Sequence, residues 1–229
     1  MEKKNLLIAG ILAGIILVLI GIGLIIFPYS TSTDDSITAH ENTIFNSKTP
    51  EEKAIFVAKL NDGLFGFESD TVKSTYLTPD KKYWIVNMED AGDYGGIFTI
   101  DPKTLMSKQN DGEWISFDEL KASYIAEIQI RTYSDGGVEK PYKVTMEGKE
   151  VWKVPVYIYN YNENGMQEQD EYVYVDVATG KSKNTAYEFN KAAGTSDWLT
   201  LTEVDNTINK IGYSKLLPFR DALRDLYLK

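Results

Sequence analysis

Glu150-Val151-Trp152-Lys153-Val154-Pro155-Val156-Tyr157-Ile158-Tyr159 sorts its side chains onto two sides. Successive residues of a strand point to opposite faces, so Trp152, Val154, Val156 and Ile158 share one side while Tyr157, Tyr159 and Tyr161 share the other. After a polar loop, Glu171-Tyr172-Val173-Tyr174-Val175-Asp176-Val177-Ala178-Thr179-Gly180 repeats the division, with Val173, Val175 and Val177 against Tyr172 and Tyr174. The pattern predicts an antiparallel hairpin with an aliphatic face for a helix and a tyrosine face turned away from it. Pro155 has no N–H to donate, which predicts an edge or a bulge at that point.

The same arrangement occurs earlier in the chain. Lys82-Tyr83-Trp84-Ile85-Val86-Asn87-Met88 is followed by an acidic Gly-rich loop and then by Gly96-Ile97-Phe98-Thr99-Ile100-Asp101-Pro102-Lys103-Thr104. A helix start precedes each hairpin. Thr49-Pro50-Glu51-Glu52 is a capping box with proline at the first helical position, and that helix is predicted to run to Asp62 and to stop at a left-handed Gly63. Ser116-Phe117-Asp118-Glu119 opens a second helix, whose Phe117, Leu120, Tyr124, Ile125 and Ile128 fall on one face and are expected to pack on a sheet. The helix starts lie 67 positions apart and Trp84 and Trp152 lie 68 apart, so the chain contains an internal repeat. Each copy closes its second strand on Asp-x-x-Thr, where the carboxylate accepts turn amides; Asp101, Thr104, Asp176, Thr179 and Gly180 are read as structural.

A helix, a strand carrying Trp, and a strand ending in Asp-x-x-Thr-Gly resembles the PepSY family of small modules. The second copy matches best, through Trp152-Lys153-Val154 and Tyr174-Val175-Asp176-Val177-Ala178-Thr179-Gly180, whereas the first has Leu105 in place of the glycine. The resemblance covers about Thr49 to Lys183. It implies inhibition or regulation of extracytoplasmic proteases, or partner binding near a cell envelope, and it does not imply catalysis. The architecture is also similar to small anchored regulators of cell-wall growth in Gram-positive bacteria.

Outside the repeat, Leu6 to Phe27 is an unbroken apolar run. As a helix rising ~1.5 Å per residue it is roughly 33 Å long, enough to cross a hydrocarbon core of about 30 Å. No small-x-small pattern follows it, so it is read as a retained anchor; a long signal peptide cut between Ser30 and Thr33 is the alternative. Lys3 and Lys4 before the run and Asp34 and Asp35 after it place the N-terminus in the cytoplasm and the bulk outside. Gly10 and Gly14 have GxxxG spacing, although small residues are common in membrane helices without forming a dimer face.

The expected organisation is therefore α+β: residues 1–5 cytoplasmic, 6–27 transmembrane, 28–48 a tether, 49–115 and 116–186 two helix-plus-hairpin modules of cystatin-like, PepSY-like form, and 187–229 a helical segment. Within the last segment Val204, Ile208 and Ile211 form one amphipathic stripe, and Leu216, Phe219, Leu223 and Leu226 form another after a break near Gly212. Covering the tyrosine face is the role expected of them. If they do not, that face is an exposed recognition surface.

Chemistry is sparse. The chain has no cysteine, and its one histidine, His40, falls in the tether, so the folded part has no thiolate or Ser/His/Asp site and no His-based zinc site. A net charge of −10 disfavours nucleic acid and anionic lipid. Carboxylates at Glu89, Asp90, Asp170 and Glu171 are candidates for acid and base work only if burial splits their pKa values. Gly95-Gly96 and Gly136-Gly137 read as turns. Asn160-x-Asn162-x-Asn164-Gly165, with Glu171 six residues on, has the spacing of an EF-hand loop. Asn at the first ligand position and flanks that alternate like strands oppose that reading, and no metal or cofactor is assigned. These readings converge on a non-enzymatic, membrane-anchored extracytoplasmic protein that binds or regulates a protein partner at the outer membrane face. A structural or sensory ectodomain and a carboxylate-based envelope hydrolase are the alternatives.

Overall fold

The computed structural model describes residues 43–63, 71–89, 96–131, 136–162, 165–212 and 217–227. The apolar run, most of the tether, His40 and Asp90 lie outside them. The described chain is α+β, and residues 39–229 form one compact unit.

Helix α1 (Ile44–Ser47) is a single turn that packs Phe45 into the core, 5.1 Å from the rings of both Phe56 and Phe117. The folded unit thus includes Thr43 to Lys48, residues that were expected to lie in the tether. Helix α2 (Pro50–Asp62) has the reciprocal Thr49–Glu52 capping box, which satisfies two N-terminal amides. Its end differs from expectation. Gly63 is right-handed at φ −62° because its N–H continues the ladder to the Lys59 carbonyl at 2.9 Å, so no left-handed stop is made.

The first sheet is a four-stranded antiparallel meander: β1 (Thr71–Leu77), β2 (Trp84–Glu89), β3 (Ile97–Ile100) and β4 (Ser107–Gln109). Helix α3 (Phe117–Ile130) follows. The second sheet holds β5 (Gly137–Val138), β6 (Tyr142–Met146), β7 (Lys149–Asn162), β8 (Gly165–Asp176) and β9 (Lys181–Asn184), with β5 and β6 both paired to one side of β7. Each unit therefore has strands beyond the expected hairpin. Pro155 is neither on an edge strand nor at a bulge. It pairs with Tyr172 across β8, and on its other side the neighbouring strand is interrupted between Val138 and Tyr142, where only the Glu139 N–H reaches the Pro155 carbonyl. The N–H and C=O of one strand residue point to the same side, so the missing donor faces that interruption.

Helix α3 is buried on nearly every side, not on one stripe. Leu120, Ala122, Ser123, Tyr124, Ile125, Ala126, Glu127, Ile128, Gln129 and Ile130 are all buried, because α2, the second sheet and the C-terminal helix surround it. The units expected at 49–115 and 116–186 consequently share one apolar core, in which Val57, Val86 and Phe98 join Ile128, Val154 and Val175.

The repeat extends further than the hairpins. Asp101 Oδ1 accepts the Lys103 N–H at 2.8 Å, and Asp176 Oδ1 accepts the Ala178 N–H at 3.0 Å. The next position is left-handed in both copies, Leu105 at φ +56° and Gly180 at φ +72°. Buried serines follow. Ser107 pairs with Ile115 and Ser182 with Leu199, and in each case the next residue, Ser116 or Thr200, caps a helix. Helix α5 (Leu201–Ile211) is thus a third copy of the repeat's helix, reached after the short α4 (Tyr187–Ala193). Helix α6 (Leu217–Tyr227) closes the fold, buries Leu223 and Leu226, ties Asp225 to Lys48 at 3.0 Å and donates the Tyr227 hydroxyl to the Val177 carbonyl at 3.0 Å.

Candidate functional site

Strand pairing aligns Tyr142, Lys153, Tyr174 and Lys183 in one row across β6, β7, β8 and β9. They lie on the sheet side opposite Val154, Val156, Val173 and Val175, which are buried in the core. The C-terminal helices do not cover this row, contrary to expectation: α6 packs against α1 and α3, and α5 packs against α4, all in the helical layer. Tyr142 is accordingly 46% exposed. Tyr172 and Tyr174 are half-buried.

Lys153 sits at the centre of this face. Its Nζ lies 3.5 Å from the centroid of Tyr172 and 5.8 Å from that of Tyr142, within range of cation–π attraction to both rings. Burial pushes its pKa down, but the hydrogen bond with Tyr142 and the phenols of Tyr174, Tyr142 and Tyr172 outweigh this and leave it raised. No carboxylate among the described residues pairs with it, whereas the nearby Lys143 pairs with Glu150 at 2.6 Å and Lys183 with Glu147 at 3.8 Å. The face therefore presents a charged ammonium held in tyrosines, on a chain whose net charge is −10. On the same face Gly137 lies across from Tyr157, whose hydroxyl stands 2.5 Å from where a Cβ would be, so a larger residue there would displace the tyrosine ring.

The first sheet carries the matching row Tyr76, Ile85, Thr99 and Lys108. Tyr76 and Ile97 are each 50% exposed, and Trp114 lies tilted beside Tyr83 with ring centres 5.6 Å apart and Lys108 Nζ 5.5 Å from its ring. Ile85 occupies the place of Lys153, so the caged cation belongs to the second unit alone.

Of the carboxylates singled out from the sequence, Glu89 and Glu171 are held in different sheets. Glu89 ends β2 in the first sheet and pairs with Lys73 at 3.0 Å; Glu171 lies on β8 in the second and accepts the Thr185 hydroxyl at 2.7 Å. Asp170 pairs along the backbone with Tyr157. The calcium-loop spacing is not realised either. Asn160 pairs with Gln167 and Asn162 with Gly165, while Glu171 pairs with Val156, four residues further along the ladder, or roughly 13 Å at ~3.3 Å per residue. A closed hairpin thus separates positions that a calcium loop would converge. Among the described residues no group of three His, Cys, Asp or Glu is placed to hold a metal, and no helix is long and apolar enough to cross a membrane.

The row across β6 to β9 was only half legible in the sequence. Alternation gave the tyrosines of β7 and β8, but Tyr142 and Lys183 come from strands with no alternating signal. Compared with known proteins, the chain matches no family model, no curated protein and no solved structure.

Proposed function

We propose that the protein is a membrane-anchored, extracytoplasmic binding or regulatory protein of PepSY-like organisation. Its partner is a protein that presents carboxylates to the Tyr142–Lys153–Tyr174–Lys183 face. The observation that carries this reading is the uncovered row itself: a cation without a carboxylate partner among the described residues, set in tyrosines, on an otherwise acidic chain. Tyrosines supply contact area at low entropic cost, and complementary charge steers encounter, a combination common at protein interfaces. The apolar run Leu6 to Phe27 supports an anchor that puts the folded unit outside and raises its effective concentration near a partner. The Asp-x-x-Thr turns, the strand with Trp152 and the preceding helix support the PepSY-like assignment, and with it a protease or an envelope-building enzyme as the class of partner.

The test is site-specific photocrosslinking in intact cells with the photoreactive residue at position 142. A discrete adduct that disappears in Lys153→Glu supports the reading. An adduct pattern identical to one obtained from position 187, an exposed tyrosine away from this face, refutes it and leaves a structural or sensory ectodomain.

A further inference from the structure

A cavity of about 380 Å³ lies where the two units meet, bounded by the end of α2, β4 and the loop after it, the start of α3 and the linker between β5 and β6. That linker leaves the sheet opposite Pro155, so the proline that interrupts the strand also opens the cavity wall. Val138, Ile115 and Pro141 make its apolar sides, and Asn61, Glu119 and Ser123 its polar end.

Asn61 is fully buried. Its Nδ2 donates to Ser107 Oγ, while its Oδ1 has no hydrogen-bond partner. The second unit shows what a completed version looks like. Gln129 of α3, one position further from its helix cap than Asn61 is from its own, makes the equivalent serine bond: its Nε2 donates to Ser182 Oγ at 2.8 Å and to the Ile125 carbonyl at 3.1 Å, and its Oε1 accepts from Asn184 Nδ2 at 3.3 Å. In the first unit Asn61 is one methylene shorter, and Gln109, in the position of Asn184, leaves Oδ1 unmet. A buried acceptor without a donor is unfavourable and needs an occupant of the space beside it.

Asn61 Oδ1 and the Glu119 carboxylate offer that occupant acceptors, beside the Ser123 hydroxyl and the Gln109 amide, which can each accept or donate. The protein's own nearby ammonium is engaged at the mouth, where Lys140 Nζ pairs with Glu113 at 2.9 Å and both side chains are largely exposed. Burial raises the pKa of Glu119, and Lys140 only partly reverses this, so a cation bound inside the cavity would meet a carboxylate that solvent stabilises poorly. We propose that the cavity binds an alkylammonium group, a primary amine on an apolar stem, which donates to Asn61 Oδ1, pairs with Glu119 and lays its stem on Val138, Ile115 and Pro141. Two sources share that chemistry, a free aliphatic amine and the lysine side chain of a peptide.

Calorimetric titration of the purified full-length protein with cadaverine, with the blocked tripeptide acetyl-Gly-Lys-Gly-amide, and with 1-pentanol as the neutral isostere tests this. At least one amine should bind saturably and about tenfold or more tighter than the alcohol, since both can donate to Asn61 Oδ1 but only the ammonium makes a charge-assisted pair with the Glu119 carboxylate. Binding of the tripeptide alone assigns a peptide source, and binding of cadaverine a free amine. Asn61→Leu and Glu119→Gln should each weaken binding about tenfold, while Lys153→Ala on the sheet face leaves it unchanged. Glu119→Gln retains the backbone N–H that Ser116 Oγ caps, so it tests the site even if Asn61→Leu fails to fold. No saturable heat for either amine up to about 10 mM, or equal affinity for amine and alcohol, overturns the proposal and leaves a water-filled cavity. Loss of the crosslinked partner at position 142 with amine binding intact would refute the partner reading alone.

Discussion

Replacing Gln129 by Met and, separately, Asn61 by Leu roughly keeps side-chain length and branching and removes the buried amide of one unit at a time, the extra volume of Leu facing the cavity. In the second unit the change strips Ser182 Oγ and Asn184 Nδ2 of their partner, and both residues are buried. Each buried polar group left unmet costs about 1–3 kcal/mol, and burying an extra apolar surface recovers part of that, for a net loss of about 3 kcal/mol. In the first unit only the bond to Ser107 is lost, and an acceptor that already lacked a donor disappears with it. The expected change there is within about 1 kcal/mol of zero. Urea unfolding of the full chain followed by tryptophan fluorescence reads the difference. With m of about 1–3 kcal/mol/M, Gln129→Met should lower the midpoint by about 1 M or more, and Asn61→Leu by a small fraction of that. Heating should show a loss of about 6–12 °C for the former. Equal losses in the two variants would refute the reasoning, because they would mean that Asn61 Oδ1 is as well satisfied as Gln129 Oε1.

Three further outcomes follow from the geometry. Gly180→Ala should cost about 1–3 kcal/mol, since φ is +72° and a Cβ would stand 3.1 Å from Tyr227 and 3.2 Å from Leu201, whereas Gly148→Ala, with open space around it, should cost only the left-handed penalty of about 1 kcal/mol; equal midpoints in denaturation would contradict the crowding by α5 and α6. Phe45→Ala should destabilise by about 3–5 kcal/mol, and a loss typical of a surface residue would return the start of the folded unit to Thr49. Burial raises the pKa of Glu127 above 4.5 and the hydrogen bond from Arg131 only partly offsets it, so the folded state holds this proton more tightly than the unfolded chain. Its contribution to stability therefore falls as pH rises past 4.5 and levels off above the folded pKa; urea midpoints across that window should flatten in Glu127→Gln, and an unchanged slope would sink the assignment.

Local chemistry explains which parts of this fold could be read from the sequence. The starts at Thr49 and Ser116 depend on residues three positions apart, and the pairing of β7 with β8 depends on strict alternation, so both were legible. Strands β1 and β6 were not, because edge strands exposed on both faces, with Lys73 and Lys143 on them, carry no apolar period. The third helix start was visible in principle. Trp114-Ile115-Ser116 and Trp198-Leu199-Thr200 match, but they lie 84 residues apart against 67 for the first two starts, since the longer hairpin and α4 intervene. The expected cover over the tyrosines failed for a different reason. An amphipathic stripe such as Val204, Ile208 and Ile211 shows that a helix packs, not against which surface: α5 packs on α4, and α6 on α1 and α3. Asn61 and Gln129 were invisible as a matched pair because their serine partners lie 46 and 53 residues further along the chain.

Duplication supplies an internal control that a single domain lacks. Two stretches of one chain build the same helix and meander, so a residue shared by both copies is explained by folding, and a departure needs a cause particular to its copy. Asp101 and Asp176, Ser107 and Ser182, and Val86 and Val154 are shared, and each makes the same turn, buried bond or core contact. Leu105 against Gly180 departs, and its cause is visible: Tyr227 and Leu201 crowd the glycine, while Leu105 packs against the core and so offsets its left-handed backbone. Lys153 against Ile85 departs on the exposed face, where no packing requires it. Asn61 against Gln129 departs in the interior and leaves an acceptor unmet beside a cavity. Local rules broken without a compensating contact within the chain are expected where an external group completes them. By that argument the unmet Asn61 Oδ1 at the junction of the units is the first place to test for an external group, and Lys153, whose contacts within the chain are to tyrosines alone, is the second.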